Sequence, residues 1–147
     1  MAIATSIDSK GSGLVIVHNF SDQAGSATPF TRNILTPSWA KNALVYLNWT
    51  EEGGTTGLVD LTINAVDPVN HETVTPLASW NGITQLSAID LITVAIGPGI
   101  TGIADDDAGT EYHLNTPLPR LMQTVLTLSI ADADEFYDLT LSIEFSK

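Results

Sequence analysis

Tyr137-Asp138-Leu139-Thr140-Leu141-Ser142-Ile143-Glu144-Phe145 alternates apolar and polar side chains without a break. Successive side chains of a strand point to opposite faces, so this stretch predicts a strand with Tyr137, Leu139, Leu141, Ile143 and Phe145 buried and the other side wet. Just upstream, Leu126, Leu128 and Ile130 alternate with Thr127 and Ser129, and residues 131–135 are small and acidic. A tight connection between two alternating runs predicts an antiparallel hairpin. The same arrangement occurs earlier in the chain. Residues 42–50 set Val45, Leu47 and Trp49 opposite Leu44 and Tyr46, while Val59, Leu61, Ile63 and Ala65 alternate with Asp60, Thr62 and Asn64. Residues 51–57 between them are rich in glycine and acid, which predicts a second hairpin.

Working outward, further strands are expected at 14–19, 73–80 and 89–96, the last closed by Gly97, Pro98 and Gly99, with a short one at 111–114. Helical spacing can be traced through 77–91, but Gly82 and the β-branched residues leave room for no more than a short turn. About seven to nine strands separated by glycine, proline, asparagine and aspartate predict an all-β domain, a single antiparallel β-sandwich or barrel of jelly-roll-like type. Periodicity alone does not choose between sandwich and barrel.

The length of 147 residues suits one domain. A chain of that size buries roughly 68–70% of its unfolded surface and needs no covalent staple. Cysteine is absent, which excludes thiolate catalysis, iron–sulfur clusters, cysteine-type zinc sites and a disulfide scaffold. Seventeen acidic residues against five basic ones give a net charge of −12. That field repels phosphate backbones and anionic headgroups, so neither nucleic acid nor a membrane surface is an expected partner. With 15% charged and 44% apolar residues, the chain reads as a folded protein and not an acidic tail. Residues 1–13 carry one positive charge, Lys10, and no apolar run, so export by a secretory signal is not expected. These residues read as an extended N-terminal arm preceding a single β domain over 14–147. Residues 21–38, with Pro29 and Pro37, also break the strand rhythm and read as a second arm or a surface loop. Such segments bury little surface by themselves and tend to order against a partner.

The residues capable of chemistry form no recognisable constellation. Asp105, Asp106 and Asp107 with Gly109 and Glu111 make the densest carboxylate cluster, but the alternating ligands of a calcium loop are missing. A solvated loop explains them, as it does Asp132, Asp134 and Glu135. His18, His71 and His113 lie far apart with no paired-ligand spacing, and each reads as a strand-end or loop residue. No Gly-x-Ser-x-Gly elbow and no phosphate-binding glycine loop is present. Trp39, Trp49 and Trp80 with Tyr46, Tyr112 and Tyr137 could stack on sugars, although Trp49 and Tyr137 occupy strand positions suited to a core. Asp60 and Glu144 could be drawn as a glycosidase pair, but outward strand positions account for both. Neither an enzyme nor a cofactor is expected.

One order of features does resemble a known group. Pro37, Ser38, Trp39 and Ala40 open a strand followed by an acidic glycine turn. Then come Val66, Asp67 and Pro68 with Asn70 and Glu72, a strand through Leu77, the turn at Gly97 to Ile100, the triplet Leu118, Pro119 and Arg120, and a threonine-rich end. Between Trp39 and Phe145 this resembles the small virion structural proteins encoded near the capsid genes of tailed bacteriophages, some of which are head decoration, or cement, proteins. The chain departs from that pattern where Ile96 precedes Gly97 in place of an aromatic residue, and in having few arginines. The resemblance implies a β-rich, non-enzymatic protein on the capsid exterior, made in the host cytoplasm, that binds the major capsid protein and clusters there as a trimer or dimer. It carries no catalytic residue. On this reading Ile3, Ile7, Pro29, Phe30, Arg32, Pro37 and Trp39, in and beside the two irregular segments, are the expected partner contacts. Two alternatives are a tail- or fibre-associated virion module and a carbohydrate-binding sandwich using the tryptophans.

Overall fold

In the computed structural model, which describes residues 13–53, 57–72, 74–84, 91–99, 111–130 and 136–147, every regular element is a strand. They are β1 (Gly13–Ala24), β2 (Phe30–Leu35), β3 (Asn42–Glu52), β4 (Leu58–Val66), β5 (Val74–Thr84), β6 (Leu91–Ile96), β7 (Glu111–Leu114), β8 (Leu121–Leu128) and β9 (Phe136–Ser146). They form a five-stranded sheet in the order β1-β9-β3-β6-β7 and a four-stranded sheet in the order β2-β8-β4-β5. The all-β expectation holds, and of the two architectures the fold is the sandwich. Among the described residues all pairings are antiparallel except β6 with β7, which run parallel with Thr93 beside Glu111 and Ile96 beside Leu114. A parallel neighbour needs a crossover and not a tight turn, and residues 97–110 separate these two strands.

The alternation seen in the sequence supplies the inner faces. Tyr137, Leu139, Leu141, Ile143 and Phe145 of β9 are buried, and so are Ala43, Val45, Leu47 and Trp49 of β3. Facing them from the other sheet are Val59, Leu61 and Ile63 of β4 and Met122, Leu126 and Leu128 of β8. Full burial of each large aliphatic or aromatic side chain contributes about 1.5–3 kcal/mol before entropy is counted. The two most apolar strand pairs therefore form the middle of the core.

Both predicted hairpins are corrected by the fold. β8 and β9 lie in different sheets, and so do β3 and β4. Alternation says which face of a strand is buried but not which neighbour receives its hydrogen bonds. Glycine-rich and acidic links of this length serve as well to cross between layers about 10 Å apart as to reverse within one layer. The sequence-adjacent hairpin is instead β4–β5, with Val66 paired to Val74. Its turn is held by Asp67, whose Oδ1 accepts the Val69 N–H at 2.7 Å, and by Asn70, whose Oδ1 accepts the Glu72 N–H at 2.9 Å.

The reading of 21–38 as arm or loop is also corrected. β1 continues to Ala24, and β2 occupies 30–35, pairing with β8 from Phe30 beside Leu126 to Leu35 beside Leu121. Threonine, isoleucine and phenylalanine in β2 suit a strand, and the flanking prolines mark its limits and not its absence. β5 extends the 73–80 strand through Gly82, so the helical spacing traced from Leu77 has no helical counterpart up to residue 84. Of the proposed arm, residues 1–12 lie outside the described residues, and Gly13 begins β1.

Candidate functional site

β2 carries Phe30 and Arg32 of the expected contact residues and is flanked by Pro29 and Pro37, and β1 lies across the same margin. β1 pairs on one side with β9, and β2 on one side with β8. Register decides which of their side chains turn toward the core. In β2, Phe30 pairs with buried Leu126, Arg32 with buried Thr124 and Ile34 with buried Met122, so these three share the inner face. In β1, Val15 pairs with Ile143, His18 with Leu141 and Phe20 with Leu139. Between Ile16 and His18 the register slips by one residue, a bulge that leaves both Val17 and His18 buried.

The margin between the sheets is thus lined by His18 and Phe20 from β1 and by Phe30 and Arg32 from β2. The Phe20 and Phe30 rings meet with centroids 4.7 Å apart, tilted by 52°, and the His18 ring lies 5.4 Å from Phe20. His18 is only 3% exposed, and its Nε2 has no hydrogen-bond partner. Burial, reinforced by the positive charge of Arg32, pushes the imidazole down to about 4, so it is neutral at ordinary pH. Thr124 Oγ1, on the same inner row, is likewise buried without a partner. The expectation that His18 is a strand-end or loop residue is corrected: the bulge turns it inward. No alternation pattern announces a bulge, so the sequence held no signal for it.

The other expected contacts are dispersed. Pro29 is exposed just before β2, and Arg32 is exposed although its register position faces inward. Pro37 is buried, and Trp39 is half-buried against the core. Ile3 and Ile7 lie outside the described residues. The triplet Leu118, Pro119 and Arg120 is tied here to Thr36, the residue before Pro37. Thr36 Oγ1 donates to the Pro119 carbonyl at 2.6 Å, the Thr36 N–H donates to the Arg120 carbonyl at 3.0 Å, and Arg120 Nη1 donates back to the Thr36 carbonyl at 3.0 Å. The segments around Pro37 and Pro119 are therefore clamped together across the edge of the four-stranded sheet.

The acids drawn as a pair are parted by the fold. Asp60 lies on the outer face of the four-stranded sheet and Glu144 on the outer face of the five-stranded one. Asp60 Oδ1 accepts the Gly82 N–H at 2.6 Å, where Gly82 has a φ of 68°, and Glu144 Oε2 accepts the Tyr46 hydroxyl at 3.3 Å. Trp49 and Tyr137 are core residues with ring centroids 5.7 Å apart. His71, exposed at a φ of 61°, sets its Nε2 3.1 Å from the Pro68 carbonyl. Among the described residues, no three histidine, aspartate or glutamate side chains converge as a metal site. The carboxylate runs at 105–107 and 132–135, and the side chains of Tyr112 and His113, lie outside what is described. Leu14 and Ile16, which are not among the expected contacts, stand on the outer face of β1 at 50% and 53% exposure. Four consecutive apolar residues, Leu14 to Val17, were the available signal, because an ordinary strand cannot turn all four into one core.

No family model matches this chain, and no curated protein matches it. Among solved structures it is similar to CorA, a surface-associated copper-binding protein important in copper acquisition by Methylomicrobium album BG8, with 11% identity and a TM-score of 0.34 over 99% of each chain. A likeness that slight carries nothing about ligand or role.

Proposed function

We propose that this chain is a non-enzymatic virion protein that decorates and stabilises a tailed-phage capsid, with the major capsid protein as its partner. The observation that carries the reading is how the residues of the resemblance are used. Asp67, Asn70 and Arg120 each hold backbone at a strand end or turn. This is what a rigid adhesive module requires: a durable sandwich whose polar groups keep its shape, with adhesion left to irregular segments and sheet margins. The net charge of −12 would favour docking on a basic shell surface. Many weak contacts repeated over a symmetric shell add as avidity. Residues 1–13 and the margin bearing Pro29 and Arg32 are the proposed points of attachment.

Cosedimentation of the purified protein with expanded, empty capsids of the phage that encodes it tests this reading. Saturable binding at a fixed ratio to the major capsid subunit is expected. Absence of binding, or recovery of the protein with tails, overturns it.

A further inference from the structure

The sandwich has four sheet ends among the described residues, β1 and β7 on one sheet, β2 and β5 on the other. A terminal strand offers unpaired N–H and C=O groups to any other strand, and folded proteins blunt such edges with charge, proline, bulges or brevity. Three of the four are blunted in this way. β2 carries exposed Arg32. β5 carries Pro76 and two register shifts against β4. β7 has four residues. β1 divides: beyond Ile16 it has two register shifts and a positive φ at Asp22, but residues 13–16 run in unbroken register from Gly13 beside Phe145 to Ile16 beside Ser142. Residues 13–17, Gly-Leu-Val-Ile-Val, contain no charge and no proline.

We infer that residues 13–17 of β1 pair antiparallel with the same residues of a second copy of this chain, about a twofold axis at Val15. Two features select a second copy over another partner. The first is self-complementarity. With Val15 opposite its counterpart, Leu14 faces Ile16 of the other copy and Gly13 faces Val17, so every cross-strand pair is apolar. On the outer face, Leu14 and Ile16 from both copies then form one cluster, covering side chains that are half exposed in the single chain. The second is charge. Two copies at −12 each repel, and this stretch lets them touch without opposing carboxylates. Among the described residues the nearest acid on that face is Glu144, the neighbour of Leu14 on β9. Across the joined sheets the two Glu144 residues stand three strand spacings apart, about 14 Å, beyond the Debye length of about 10 Å at 0.1 M salt.

Five residues per copy cover far less than the ~800 Å² per partner of a standard stable interface, so the dimer is weak and strengthens with salt. This inference is independent of the capsid reading, because it concerns the free protein.

Sedimentation equilibrium of the full chain from micromolar to millimolar concentration, at low and high salt, tests it. A reversible monomer–dimer equilibrium favoured by salt is expected. Leu14→Lys and Ile16→Glu, both at solvent-facing positions, should each weaken self-association at least tenfold while leaving far-UV dichroism and melting unchanged. Mixing the two variants should restore dimerisation, because residue 14 of one copy then meets residue 16 of the other as a lysine–glutamate pair. A chain that stays monomeric up to millimolar concentration overturns the inference. So does a dimer indifferent to both substitutions, or a mixture no better associated than its components.

Discussion

Two margins of the same core manage their buried polar groups in opposite ways. Where β3 passes to β4 and β8 to β9, Tyr137 sends its hydroxyl to Ser129, with the carbonyl at 2.9 Å and Oγ at 3.0 Å. Ser129 Oγ accepts the Leu58 N–H at 2.8 Å, the Ser129 N–H donates to the Leu58 carbonyl at 2.9 Å, and both Glu51 carboxylate oxygens accept the Gly57 N–H at 3.0–3.1 Å. Gly57 fits because a Cβ there would lie 2.5 Å from the Tyr137 hydroxyl. This network ties the two sheets together at both crossings. At the β1–β2 margin, by contrast, His18 Nε2 and Thr124 Oγ1 are buried without partners beside the charge of Arg32. One margin is a closed hydrogen-bonded joint; the other holds polar groups at a cost.

The largest expected effect comes from the open margin. The unfolded His18 imidazole takes a proton near pH 6.5, whereas the folded one does so only near about 4. Between those values the unfolded chain binds more protons, so stability falls as pH drops through that window and the loss is complete below it. Arg32 on β2 is the charged group set against His18, while its partners on β9 are apolar. The full loss is about 3 kcal/mol. Urea unfolding of the native chain and of His18→Leu at pH 7 and pH 4 should show a difference of that size in their acid sensitivity. Equal sensitivity would break the contrast between the margins.

A smaller effect is expected at the closed joint. Tyr137→Phe keeps the ring against Trp49 but removes the hydroxyl from Ser129, and should destabilise the fold by about 1–2 kcal/mol. The urea midpoint should shift with an unchanged slope, because the surface exposed on unfolding is the same. Thr124→Val should act in the opposite direction and least of all. It exchanges an unpartnered buried hydroxyl for a methyl of the same shape, a change expected to be neutral or stabilising by up to about 1 kcal/mol. A rise in melting temperature for Thr124→Val beside a fall for Tyr137→Phe would sharpen the comparison; a fall for both would remove it.

These margins were legible in the sequence to very different degrees. The inner faces of β3, β4, β8 and β9 could be read directly, because period-two alternation and burial on one side are the same fact seen twice. Tyr137 and Trp49 appear as core candidates on that basis, and both are buried. The link segments could be located but not interpreted, since glycine and acid mark a change of direction and not its destination. His18 could not be read at all, because a one-residue bulge shifts the inner row without changing the local composition. The clamp between Thr36 and Arg120 joins positions 84 residues apart, and nothing local to either announces the other.

The sequence by itself determined that the chain is all-β, that it has no cysteine chemistry, and which side of its long strands is apolar, because these follow from residue identity and the two-residue repeat. Only the tertiary structure decided that successive strands cross between layers, that β2 stands where an arm or a loop was expected, that Asp60 and Glu144 lie on opposite faces, and that residues 13–16 of β1 run in unbroken register at a sheet end. Each of these depends on which strands become neighbours. Neighbourhood is settled by closing the whole core at once, through contacts between residues distant along the chain.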